Sequence, residues 1–182
     1  MLKVTSLKEE HLEDAALVVM NRYGWLCGQK PHLPHRYTVV TNLLPLLRNI
    51  MSASGVGVAA IRGNRLVGFL TGWQMPSFRG KRSTYSPEWA NAADLDDSPR
   101  IYEEMYSQLA DAWVADKYIA YYISLFPNDI DELRAWHWMG FEMIPVDAIR
   151  GLDSIPGCDV NVYIRRAELQ DLFCYHSTRN VD

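Results

Sequence analysis

The chain has 182 residues, of which 48% are hydrophobic and 22% charged. Those proportions are typical of one folded globular domain with a substantial core, and they argue against disorder, a fibrous architecture or two complete domains. A net charge of -4, with basic residues scattered apart from Arg79, Lys81 and Arg82, gives no general attraction to polyanions, so nucleic acid is not expected as a partner.

Apolar runs such as residues 15–20 fall far short of the roughly 20 residues needed to span a bilayer. Lys8, Glu9 and Glu10 interrupt the place where a signal peptide would start, so a cytoplasmic location without membrane contact is expected. The three cysteines, Cys27, Cys158 and Cys174, are far apart and form no C-x-x-C pair, which fits inert thiols in a reducing compartment. His32 and His35 are separated by prolines that preclude a helical ligand pair, and no second cluster completes a metal shell, so no metal is expected.

Residues 2–5 alternate as a short strand. Ser6 and Glu9 have the spacing of a capping box, which predicts a helix from about Leu7. Leu12, Ala15, Ala16, Val19 and Tyr23 fall on one face of it, and Gly24 stands where a stop is expected. A proline-bearing loop over 29–37 leads to a second helix carrying Leu43, Leu44, Leu47 and Ile50 and ending before Gly55. Residues 56–61 and 66–73 are β-prone runs joined by R-G-N-R, and they predict an antiparallel hairpin.

From Gln74 to Pro99 the sequence is polar and irregular; 84–91 is the only strand read there, and the acidic D-L-D-D follows at 94–97. Ser98 and Pro99 make a good helix entrance, and Ile101, Met105, Leu109, Ala112 and Trp113 form the apolar stripe of that helix. A strand over 118–126, a short helix over 129–139 stopped by Gly140, and a strand over 141–146 complete the pattern. The order predicts an α/β layer architecture, with helices covering both faces of a mixed and largely antiparallel sheet.

Residues 3–12 and 163–172 share a weak echo, each reading as a short strand, a turn and a helix start. The domain expected over 1–155 is therefore followed by 156–182, which is either its own C-terminal strand and tail or the start of a second domain of the same kind.

Three stretches carry a family resemblance: R-G-N-R-L-V-G-F-L-T-G-W (62–73), A-D-A-W-V-A-D-K-Y (110–118) and D-E-L-R-A-W-H-W-M-G-F-E (131–142). With the element order, they make residues 1–150 similar to the GNAT acetyltransferase superfamily. The resemblance implies a three-layer fold in which acetyl-coenzyme A lies in a V-shaped opening between the fourth and fifth strands, and an amine attacks its thioester. It implies an acetyl-CoA-dependent N-acetyltransferase acting on a small-molecule or protein amine.

The family holds the pyrophosphate with Q/R-x-x-G-x-G/A before the long third helix. The matching place here reads A-A-D-L-D-D-S-P and has no glycine. Asp94, Asp96 and Asp97 favour their own helix dipole and would repel a phosphate, while Pro99 removes one amide. The residues left there as candidate cofactor contacts are Trp89, Asn91, Arg100 and Ile101, with Arg100 the one able to hold a phosphate oxygen. Trp136 stands where many family members place a tyrosine acid, and an indole cannot donate a proton near neutral pH. Asp129 takes the place of the asparagine that often opens that helix, with Asn128 one place off. Glu88 is the surviving candidate base.

Three readings follow. The domain is a degenerate half that binds no cofactor and partners an active second GNAT domain; or it is an enzyme holding acetyl-CoA through strand backbone and Arg100, with Glu88 as base; or it is a silent binding or homodimerisation module using Trp73, Trp89, Trp136 and Trp138.

Overall fold

The computed structural model describes residues 1–30, 32–54, 56–126, 130–144, 165, 166 and 168. The chain divides into two compact units, Met1–Arg150 and Gly151–Asp182. In the second, Arg165 stands 3.9 Å from Glu168 and donates to Arg166 O at 3.0 Å; the other residues of the echo at 163–172 lie outside the described residues.

The first unit runs β1 (Leu2–Ser6), α1 (Leu12–Gln29), α2 (Val40–Ser54), β2 (Gly57–Arg62), β3 (Arg65–Thr71), β4 (Trp73–Phe78), β5 (Lys81–Ser86), β6 (Asn91–Ala93), α3 (Ser98–Ala115), β7 (Ala120–Ile123) and α4 (Ile130–Trp138). One sheet has the order β1-β2-β3-β6, antiparallel throughout, and a second has the order β4-β5-β7, with β5 and β7 parallel. The expected mixed, largely antiparallel α/β fold is present.

Strands β2 and β3 read as near-continuous apolar runs because both their faces are covered. Ala59 and Phe69 pack with α1 and α2 in a core that includes Leu12, Leu43 and Leu47, whereas Val58, Ala60 and Leu70 pack with Ile101, Met105 and Trp113 of α3 and with Trp136 of α4. Helices α1 and α2 therefore cover one face, and α3 and α4 the other.

Two sheets arise from one long hairpin that breaks at matching points. Between β3 and β4, a Cβ on Gly72 would stand 3.0 Å from the Tyr85 carbonyl oxygen, a crowded approach that glycine relieves. Opposite it, residues 87–90 bulge out of the partner chain: Ala90 N–H donates to Pro87 O at 2.9 Å, and Thr71 N–H donates to Ala90 O at 3.0 Å. After this bulge β6 stays with β3, while β7 follows β5 and makes its last bond from Ser124 N–H to Ser86 O at 2.8 Å. Strands β6 and β7 consequently splay apart.

Several sequence expectations are corrected. Helix α1 is preceded by a 3-10 turn, Glu9–His11, whose N-cap is Lys8. Ser6 belongs to β1, and the Lys8 amide donates to His11 Nδ1 at 3.1 Å. Gly24 does not stop α1, because Leu26 and Cys27 of the next turn are buried, and their packing outweighs the cost of about 1 kcal/mol for a mid-helix glycine. The stretch read as irregular contains β4, and the strand read over 84–91 is β5 followed by the bulge.

Phe141–Ile144 form no strand. Gly140, at φ 90°, and Phe141 instead close α4 in a Schellman motif, donating to His137 O at 3.0 Å and Trp136 O at 3.1 Å. The four tryptophans proposed as one surface do not form one: Trp89 and Trp136 are buried in the cores on opposite faces, and only Trp138 is fully exposed, at 86%.

Candidate functional site

The splay between β6 and β7 leaves only a narrow crevice of about 10 Å³, room for roughly one water, lined by residues of α1, the bulge, β6, α3, the segment after β7 and α4. Two polar constructions cross it. The Asn91 side chain, 4% exposed, donates from Nδ2 to Pro87 O (2.9 Å), Ser86 Oγ (3.2 Å) and Ser124 O (3.3 Å). Its Oδ1 accepts from the Tyr102 hydroxyl of α3 at 3.3 Å, so the amide ties the diverging strands together.

The second is an ion pair between Arg22 of α1 and Glu132 of α4. The two side chains are 9% and 3% exposed, and Arg22 Nη1 also donates to Ala93 O at 3.4 Å. Because α1 and α4 cover opposite faces, the pair passes through the opening in the sheet. Desolvating two charges this way costs several kcal/mol per ion unless each is met by the other. Sequence reading missed this pair, since an arginine among the apolar positions of α1 and a glutamate in the first turn of α4 are individually ordinary helix residues.

At the mouth of the crevice, Glu88 Oε1 accepts from the Tyr37 hydroxyl at 2.9 Å, and Arg36 donates to that same hydroxyl while standing 3.8 Å from Glu88. Burial, reinforced by the charge and hydrogen bond of Glu88, pushes the Tyr37 phenol above the usual tyrosine range. Burial likewise raises Tyr23, whose hydroxyl donates to Pro34 O at 2.8 Å, and raises the buried Cys27 thiol, keeping it unreactive.

The remaining candidates separate. Trp89 is packed in the α1/α2 core and Ile101 in the α3/α4 core, while Arg100 is exposed on the first turn of α3. Of the five residues singled out from the sequence, only Glu88 and Asn91 line the crevice. Trp136 is 2% exposed, wedged against Tyr102 (5.3 Å between centroids) and Phe141 (4.9 Å), and its indole nitrogen has no hydrogen-bond partner among the described residues. Asn128 and Asp129 lie outside the described residues. Among the described residues there is no group of three or more His, Cys, Asp or Glu suited to a metal, and no helix long and apolar enough to cross a membrane.

The entrance of α3 is where the resemblance would place a pyrophosphate, and its residues do not fit one. A single 3-10 turn, Leu95–Asp97, precedes the helix. Asp97 takes Arg62 at 2.5 Å and Asp94 takes Arg65, so the two arginines at the ends of the β2-β3 turn are bound to the entrance carboxylates. An incoming phosphate would meet these carboxylates, and Pro99 offers no amide.

No protein-family model matches the chain. A search of curated proteins finds no match. Solved structures do match. A ribosomal-protein-alanine N-acetyltransferase from Brucella melitensis biovar Abortus 2308 is similar over 92% of this chain and 100% of its own, at 14% identity and a TM-score of 0.53. An aminoglycoside acetyltransferase from an uncultured soil metagenomic sample, in complex with sisomicin, matches over 84% of this chain and 97% of its own, at 16% identity and a TM-score of 0.56. A Trypanosoma brucei acetyltransferase matches over 84% and 100%, at 13% identity and a TM-score of 0.53. At these identities the likeness is one of architecture, and the chain has the fold of the GNAT N-acetyltransferases.

Proposed function

We propose that this domain is a degenerate GNAT domain that holds no acetyl-CoA itself and serves as the supporting half of an acetyl-CoA-dependent N-acetyltransferase acting on a small-molecule or protein amine. The observation that carries this reading is the entrance of α3, where Asp94 and Asp97 are engaged by Arg65 and Arg62 at the place a phosphate cradle would need free amides and glycines. Two further features point the same way: the Arg22–Glu132 pair passes through the strand opening, and a buried indole stands where an ionisable acid is needed.

The first test is release of free coenzyme A thiol from acetyl-CoA in the presence of the chain and a panel of primary amines. The expected rate is that of the solution without protein. Turnover that disappears in Glu88→Gln, with the fold intact by circular dichroism, would instead establish the domain as an enzyme with Glu88 as base.

A further inference from the structure

The outer face of α1 keeps two large apolar side chains in solvent. Most of the helix's apolar positions pack into the core, but Leu17 and Trp25 are 42% and 41% exposed. They stand about 12 Å apart along the helix axis, with the exposed Asn21 midway between them. At about 100° of turn per residue, Leu17, Asn21, Gly24, Trp25 and Gly28 share a sector roughly 100° wide, the width of a helix face that packs on another element. Gly24 and Gly28 keep this face low: a Cβ on either would meet no packed neighbour within 4 Å, so the chain's own packing does not ask for glycine there.

The ends of the face carry opposite charges. Glu13 and Asp14 stand in the first turn and Lys30 caps the other end, and each is exposed. Neighbouring Glu9 and Glu10 are answered within the chain, by Arg48 at 2.7 Å and Lys8 at 3.7 Å. Glu13, Asp14 and Lys30 have no ion-pair partner among the described residues.

A second copy of the same helix, laid antiparallel about a two-fold axis at Asn21, answers these features together. Trp25 of each copy comes level with Leu17 of the other. Glu13 and Asp14 come within a turn of the level of Lys30 on the second copy, whereas a parallel pair would set like charges together at both ends. The glycines let the backbones approach. Such a contact is self-complementary and closes at two copies.

We infer that two copies of this chain pair through the outer face of α1, antiparallel about Asn21, with Trp25 of each packed on Leu17 of the other. The contact uses neither the α3 entrance nor the crevice, so it stands apart from the question of acetyl-CoA binding. One helix pair buries an area at or below the low end of specific interfaces, about 1,200 Å² in total, which corresponds to a weak dimer with Kd on the order of 10–100 µM.

The experiment is sedimentation velocity of the whole chain at low ionic strength, from about 5 µM to about 500 µM. The sedimentation coefficient should rise from that of a monomer toward that of a dimer across the range. Asn21→Lys, which sets two ammonium groups against each other at the axis, and Trp25→Ser should each weaken association at least about tenfold. Because Asn21 is exposed, its variant remains informative if Trp25→Ser fails to fold. Glu13→Lys/Asp14→Lys should also weaken the dimer, and adding Lys30→Glu should restore it. Charges that served only the dipole of their own helix would give no such rescue. A monomer at every concentration would overturn the inference. So would a dimer indifferent to Asn21→Lys and Trp25→Ser, which another surface must hold, or a charge exchange that restores nothing.

Discussion

Arg22 and Glu132 meet inside the sheet, joining a helix on one face to a helix on the other through the gap between β6 and β7. A buried pair of this kind is costly to break and cheap to replace whole. Glu132→Leu, which leaves the guanidinium buried without its carboxylate, should destabilise the fold by about 3–5 kcal/mol. The double variant Arg22→Met/Glu132→Leu should recover most of that loss. Urea unfolding followed by tryptophan fluorescence measures both; equal losses in the single and double variants would show that the two side chains do not act as a pair.

A second contact fixes how closely α3 lies on the sheet. A Cβ on Gly68 of β3 would stand 2.6 Å from Ile101 Cγ2 and 3.1 Å from Ala92 O. Gly68→Ala should therefore cost about 1–3 kcal/mol through overpacking. Ile101→Ala opens a cavity at a fully buried site and should cost about 2–5 kcal/mol. Because each change relieves the other, the double variant should fall short of the sum by roughly 1 kcal/mol or more. Additivity in a thermal-unfolding cycle would mean that the helix simply shifts away.

Alkaline pH should unfold the protein through its tyrosines. Burial raises Tyr37, Tyr23, Tyr106 and Tyr121 above the ordinary tyrosine value, and Glu88 raises Tyr37 further. Above that ordinary value the unfolded chain releases protons that the folded chain still holds. Stability is thus fully present below it and falls as pH rises through the folded values. The share of the tyrosinate absorbance that comes from these four residues should rise late and together with unfolding, and Tyr37→Phe should weaken the alkaline loss of stability. A titration in which every tyrosine ionises at the ordinary value while the fold persists would contradict this.

Much of the fold was legible in the sequence because its signals are local. The stripe from Ile101 to Trp113, the R-G-N-R turn and the Gly140 stop each depend on neighbours within one element, and each marks the structure where expected. Strand β4 was hidden because its residues are only half-buried or exposed and Pro76 interrupts its pattern. At the site, the acidic, glycine-free entrance of α3 could be read from spacing, whereas the arginines that occupy it come from the turn between β2 and β3. Asn91 and Glu88 were singled out because the resemblance places the cofactor and the base beside the strand read over 84–91. Arg22 and Tyr37 were not, since their partners are 110 and 51 residues away in sequence, beyond any periodicity.

The central claim is that the α3 entrance and the strand opening are filled by the chain's own side chains and leave no place for acetyl-CoA. Isothermal titration of the chain with acetyl-CoA at low ionic strength tests it most directly. The predicted result is no saturable heat up to about 1 mM ligand, the limit of a contact worth roughly 4 kcal/mol. Binding with a Kd of about 10 µM or tighter, weakened by Arg100→Ala, would contradict it.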